Sequence, residues 1–218
     1  MSPLAINVLE TTSVLFPLPP LIAGIIYLRN LDRAMKLLVL EMAVAAISDI
    51  TSKLLADIFD FNYSWVHHIY VPIEYALFML ILSKWTGRKS ISRLLIFSVP
   101  IFIVLSVFIS LFIQGIRHMN NYMITLSMVI YALASLYILY GIMTENSGDI
   151  LKDHRFWVVT GLLLFSSGDL AYFSLHKVVR EEYLIAIWAI HIILNILSYI
   201  FYFTGIICQG RNWSGIEK

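Results

Sequence analysis

Apolar runs of membrane-crossing length follow one another along the whole chain, and they leave room for few other architectures. A helix needs roughly 20 predominantly apolar residues to cross the hydrocarbon of a bilayer. Breaks at charged residues, Pro, Gly and Asn divide the sequence into seven such stretches, at about 9–28, 35–57, 64–85, 93–115, 120–143, 155–177 and 183–207. The second is the least hydrophobic, because Glu41, Asp49 and Lys53 interrupt it. No stretch shows sustained alternation of apolar and polar residues, which disfavours a transmembrane barrel. Composition agrees: 60% of the 218 residues are hydrophobic and 13% charged, against about 45–50% and about 25% in a soluble domain. A 25.0 kDa globule with a mean hydropathy of +0.83 has too little polar surface to face water on all sides. The expectation is an all-α integral membrane protein, a single seven-helix transmembrane domain over residues 1–218. A disordered chain, a disulfide-stapled secreted domain and an ordinary nucleic-acid binder are excluded.

The cations orient the bundle. Loops after the first, third and fifth helices, with the C-terminal tail, hold Arg29, Arg33, Lys36, Lys84, Arg88, Lys89, Arg93, Lys152, Arg155, Arg211 and Lys218; the opposite face holds Lys53, Arg117, Lys177 and Arg180. This bias predicts an outside N-terminus and a cytoplasmic C-terminus, as in a bacterial inner membrane. The N-terminus has neither the basic start nor the small-residue cleavage site of a signal peptide, so the first crossing is expected to be retained. A short internal repeat links Ala46-Ile47-Ser48-Asp49-Ile50 to Ser166-Ser167-Gly168-Asp169-Leu170, four helices later. It would make two parallel copies, the second lacking its last helix.

Acids without matching cations are the sharpest chemical signal. A charge at the bilayer centre costs at least about 2.5–3.5 kcal/mol, yet Glu41, Asp49, Glu74 and Asp169 all fall inside the expected spans. Lys53 alone is near enough to pair, so the other acids must be protonated, bind a cation or face water. Helical spacing aligns Glu41, Ala45, Asp49 and Ser52 roughly along one stripe, His67, Tyr70 and Glu74 along another, and Trp188, His191, Asn195 and Ser198 along a third. Asp49, His67, His68 and Asp169 belong to the outer half, Glu74, His191 and Asn195 to the middle. A polar pocket opening outward from the midplane would gather most of them. Glu41, closer to the cytoplasm, is read as structural and paired with Lys36 or Arg33. Polar groups inside bundles also serve as interhelical glue, worth about 0.6 kcal/mol each; that reading suits His191 and Asn195 as well as a site role does.

Several chemistries are missing. A retinal Schiff base needs a lysine in the last helix, and none lies between Tyr183 and Gly210. There is no Gly-rich phosphate loop and no His-Glu-x-x-His zinc helix. Adjacent His67 and His68 diverge by about 100° on a helix and do not share a metal easily. Cys208 is the only cysteine, so neither a disulfide framework nor a thiolate metal cage can form. No cofactor and no metal are expected.

From the fifth helix onward the chain resembles the lysoplasmalogenase-type membrane family, small polytopic proteins that hydrolyse the vinyl-ether bond of lysoplasmalogens. The resemblance is carried by Tyr131-Ala132, by Gly161-Leu162-Leu163-Leu164-Phe165-Ser166-Ser167-Gly168-Asp169-Leu170 and by His176-Lys177. It implies two catalytic membrane aspartates, Asp49 and Asp169, brings Lys177 into the pocket, and sets Asn195 at or beside a glutamine of the family's last helix. The chain departs from the pattern in carrying Ser48-Asp49 where Gly-Asp is expected and Gly168-Asp169 where Ser-Asp is expected. It also has seven expected helices against eight.

Three functions fit these residues. In a lipid-directed ether hydrolase, one of Asp49 and Asp169 protonates the vinyl ether and the other activates water, with Glu74, His67, Tyr70, His191, Asn195 and Lys177 lining the pocket. In a proton- or cation-linked transporter, the same acids form a midplane site between repeats. A sensory, binding or assembly subunit would perform no chemistry. The expected partners are membrane lipid and a lipid or small-molecule ligand, not nucleic acid; a homo-oligomer or a membrane partner subunit is compatible with the short loops.

Overall fold

The computed structural model describes residues 11–59, 61–145, 149–175 and 181–213. Among these residues there is no strand. The chain runs through helices α1 (Leu18–Ile26), α2 (Arg33–Asp57), α3 (Ser64–Trp85) and α4 (Lys89–Phe108), the last continuing as a π-helical segment over Ile109–Gln114. Helices α5 (Asn121–Glu145), α6 (His154–Leu175) and α7 (Glu181–Trp213) complete it.

Among the described residues, five stretches are long and apolar enough to cross a membrane: Ser64–Trp85, Lys89–Gln114, Asn121–Thr144, His154–Ser174 and Ile185–Arg211. The other two expected crossings differ for physical reasons. The first, Thr11–Ile26, is a shorter apolar helix, broken by a turn at Phe16 and Pro17. The second forms one unbroken 25-residue helix, but Arg33, Lys36, Glu41, Asp49, Lys53 and Asp57 load it with more charge than an apolar span carries. It starts cleanly because Asp32 caps it, Met35 N donating to Asp32 Oδ1 at 2.8 Å. The π-helical end of α4 stops at Gly115, whose φ of 77° suits a residue without Cβ.

The chain divides into two compact units, one comprising Met1–Leu31 with Met128–Lys218 and the other Asp32–Ser127. In the first, α6 and α7 form an antiparallel hairpin that closes over small residues. A Cβ on Gly161 would sit 2.9 Å from Tyr202 Cε1 and 3.1 Å from Ser198 O, and one on Gly168 would sit 3.0 Å from Leu194 Cδ1. Such close approach is how membrane helices gain dispersion contact when lipid removes the hydrophobic drive between them. Helix α1 joins this unit, Asn30 Nδ2 donating to Gly210 O at 3.2 Å.

In the second unit α3 packs between α2 and α4. Met35, Leu38 and Met42 of α2 and Phe78, Ile81 and Leu82 of α3 are buried. Tyr75 stacks on Phe102 of α4 with ring centroids 3.8 Å apart and donates its hydroxyl to Ser98 Oγ at 2.8 Å. Phe97 and Val104 of α4 and Phe112 of its π-helical continuation stay exposed. A lipid solvent tolerates such exposure and water does not.

Candidate functional site

The α6–α7 hairpin brings two of the expected site residues together. Asp169 projects from α6, 6% exposed, and its Oδ1 lies 2.8 Å from Nδ1 of His191 on α7. Neither atom meets hydrogen-bond geometry, so the contact is a close approach that becomes an ion pair when the imidazole is protonated. Tyr172, three residues after Asp169, lies over the imidazole with centroids 5.1 Å apart and planes 30° from parallel. Gly168 is why the pair can form: with no side chain there, the α6 backbone beside Asp169 comes against Leu194, three residues past His191. A carboxylate beside an imidazole is the elementary acid–base couple of enzyme chemistry, able to hold a proton, give it up and take it back.

The second unit holds a different cluster. The Tyr70 hydroxyl lies 3.2 Å from Glu41 Oε1 and 3.1 Å from Glu74 Oε1. Both acids are 2% exposed. Glu41 Oε2 is buried without a hydrogen-bond partner. The expected pairing of Glu41 with Lys36 or Arg33 is therefore corrected: α3 supplies a phenol to it, and no cation among the described residues pairs with it. Lys53, which the sequence offers to the acids, is taken by Asp57 at 2.9 Å, one turn along its own helix.

The remaining candidates divide. Asp49 is half-buried on α2 and makes no hydrogen bond or ion pair among the described residues. It belongs to Asp32–Ser127, whereas Asp169 belongs to the other unit. His67 sits edge-on to Tyr63, ring centroids 6.1 Å apart. Asn195, one turn beyond His191, makes no hydrogen bond among the described residues. Lys177 lies outside the described residues.

His68, near the start of α3, is engaged by the chain itself. It is held at both ring nitrogens, Nδ1 2.6 Å from Ser110 Oγ and Nε2 2.8 Å from the His118 carbonyl. A carbonyl only accepts, so Nε2 carries the hydrogen, and in the neutral ring Nδ1 accepts from the Ser110 hydroxyl. Ser110 reaches it from the π-helical segment, a backbone feature that local sequence does not announce.

Outside the membrane-capable stretches, Asp153 anchors the start of α6. Its Oδ1 accepts from Arg155 N at 2.9 Å, and its Oδ2 accepts from Arg155 Nη2 at 2.7 Å. Burial works to raise this carboxyl, but the Arg155 hydrogen bonds and charge, helped by His154, outweigh it and hold the group below its ordinary value.

Among the described residues no three His, Cys, Asp or Glu side chains gather as a metal site. Comparison with protein-family models, curated proteins and solved structures gives no match.

Proposed function

We propose that the protein is a membrane-embedded hydrolase of ether lipids of the lysoplasmalogen type, with the Asp169–His191 pair as its acid–base couple. The single observation that carries this reading is the 2.8 Å approach of a buried carboxylate to an imidazole across two facing helices. Vinyl-ether hydrolysis asks for what such a pair does well. Protonated His191 gives its proton to the β-carbon of the enol ether, leaving an oxocarbenium ion at the carbon bound to oxygen. Water adds there and returns a proton to the imidazole, while Asp169 holds the ring and stabilises its charged form. The hemiacetal then collapses to a fatty aldehyde and the glycerophospholipid alcohol, with one water consumed and no net change on the protein. Substrate class comes from the resemblance of the helix bearing Asp169 to the lysoplasmalogenase-type family. The proposal includes seven crossings, the charged α2 among them, with an outside N-terminus in a bacterial inner membrane.

The test is release of aldehyde from a defined lysoplasmalogen by the purified chain in phosphatidylcholine vesicles. Asp169→Asn and His191→Gln should each lower the rate by about 10²–10⁴-fold. Full activity in either variant overturns the reading. Asp49→Asn in the same assay decides whether a second carboxyl takes part.

A further inference from the structure

The geometry points to a separate proton-holding site in the second unit, in which Glu41 and Glu74 share a proton through Tyr70. The cluster is remote in sequence from Asp169 and His191, and its assignment stands whether or not the chain is a hydrolase. Hydrogen counting is the starting point. A phenol has one hydrogen to donate, yet the Tyr70 oxygen is within 3.2 Å of Glu41 Oε1 and 3.1 Å of Glu74 Oε1. One hydrogen forked between both acids would leave two buried anions sharing a single weak donor; the arrangement that satisfies each contact fully has Tyr70 donating to one carboxylate and accepting from the other acid in its protonated form. Two bare carboxylates this close, each 2% exposed, would repel each other with little water to screen them.

The transfer follows from the same geometry. The proton on one carboxyl passes to the Tyr70 oxygen as the phenolic hydrogen passes to the other carboxylate. One proton has then moved from one glutamate to the other, the tyrosine is regenerated, and no net charge is created.

A second observation supports a route for the proton. Ser48 lies two turns from Glu41 on the same face of α2. It is 6% exposed, and its hydroxyl has no hydrogen-bond partner. Ser52, one turn further, has an unpartnered hydroxyl as well, as does the second oxygen of Glu41. Buried polar atoms normally find partners. A stripe of oxygens without them is the lining that hydrogen-bonded water, and a proton moving along it, requires.

The charged and titratable groups of the packed elements are consistent with this assignment. On α2, Asp49 borders the stripe and acts electrostatically on Glu41, while Lys53 is paired with Asp57. On α3, His67 is half-buried one turn before Tyr70, and His68 is engaged by Ser110 and His118. On α4, Lys89 and Arg93 are exposed.

Infrared difference spectroscopy of the full chain in phosphatidylcholine vesicles tests the proposal. At neutral pH the wild type should show the carbonyl stretch of a protonated carboxyl that shifts in heavy water. Glu41→Gln with Glu74→Gln should abolish that band. Tyr70→Phe removes one oxygen and should shift the band without loss of helicity. A wild type with no such band, or a band unmoved by the double substitution, overturns the site. A band unchanged by Tyr70→Phe overturns the sharing. Should the double variant fail to fold, Glu41→Gln alone decides the site and Tyr70→Phe alone decides the sharing. Aldehyde release reads Asp169 and His191 separately, so failure of one assignment does not mimic failure of the other.

Discussion

The α2–α3 and α6–α7 hairpins each carry an aspartate between a small and an aliphatic residue, Ser48-Asp49-Ile50 in one and Gly168-Asp169-Leu170 in the other, and reach opposite chemical arrangements. In each, an aspartate sits within the first helix of the hairpin and a histidine on the second. In α6–α7 the two meet, Asp169 at 2.8 Å from His191. In α2–α3 they do not: Asp49 makes no hydrogen bond or ion pair among the described residues, and the interhelical contact is made two turns earlier, by Glu41 with Tyr70. The residue before the aspartate accounts for part of the difference. Gly168 lets Leu194 of the facing helix approach its backbone, whereas Ser48 at the matching position buries a hydroxyl with no partner. A motif that looks duplicated in sequence thus yields an imidazole–carboxylate couple in one copy and a carboxyl–phenol relay in the other.

The sharpest way to break this contrast is to change the two aspartates in parallel. Asp169→Asn keeps shape and removes charge, and the expected loss of aldehyde release, about 10²–10⁴-fold, corresponds to about 3–5 kcal/mol of transition-state stabilisation. Asp49→Asn breaks no protein contact, so a much smaller effect is expected. Equal losses would show that the two copies act alike in catalysis and would remove the distinction drawn from their contacts.

Local sequence goes far on the helices and only part of the way on the contacts. The stretch read as 64–85 is the helix Ser64–Trp85, because Lys84 and Trp85 mark its end. Helix α7 runs on to Trp213, past the reading of 207, since neither Gly205 nor Gly210 interrupts it. Gly205 serves a close approach to Val158 and Gly210 one to Tyr27. Spacing singles out both Asp169 and His191, but their pairing depends on how α6 meets α7, which Gly161 and Gly168 control through space. Glu41 misleads for a local reason: Lys36 and Arg33 lie within a few residues of it, whereas its partner, Tyr70, is on the next helix. A phenol spaced four residues from Glu74 is the available signal.

Packing offers the next test, with opposite expectations at matched positions. Gly168→Ala places a methyl 3.0 Å from Leu194 Cδ1, forcing the hairpin apart or the leucine off its rotamer, and should cost about 1–3 kcal/mol. Ser48→Ala removes a hydroxyl that bonds to no protein group and should stay within about 1 kcal/mol of the wild type. Thermal unfolding followed by helical circular dichroism in one detergent measures both. If Ser48→Ala proves the more damaging, the close approach at Gly168 is not what distinguishes the hairpins.

The smallest effects lie where the two hairpins begin, each at an aspartate. Asp32 caps α2 by accepting from Met35 N, and Asp32→Ala should cost about 1 kcal/mol. Asp153 does the same for α6 through Arg155 N, but it also holds the Arg155 guanidinium, so Asp153→Ala should cost somewhat more. The two are separated by pH. Because Arg155 keeps the Asp153 carboxyl below its ordinary value in the folded state, its contribution is fully present above the unfolded pKa of about 4 and is lost as pH falls through the lower, folded one. The gap in melting temperature between wild type and Asp153→Ala should therefore be widest near neutrality and close below about pH 4. Arg155→Gln should reproduce the part of that gap due to the guanidinium, leaving the backbone cap in place. A gap that persists undiminished into acid would assign the anchor of α6 to the cap alone and make the two hairpins equivalent at their starts.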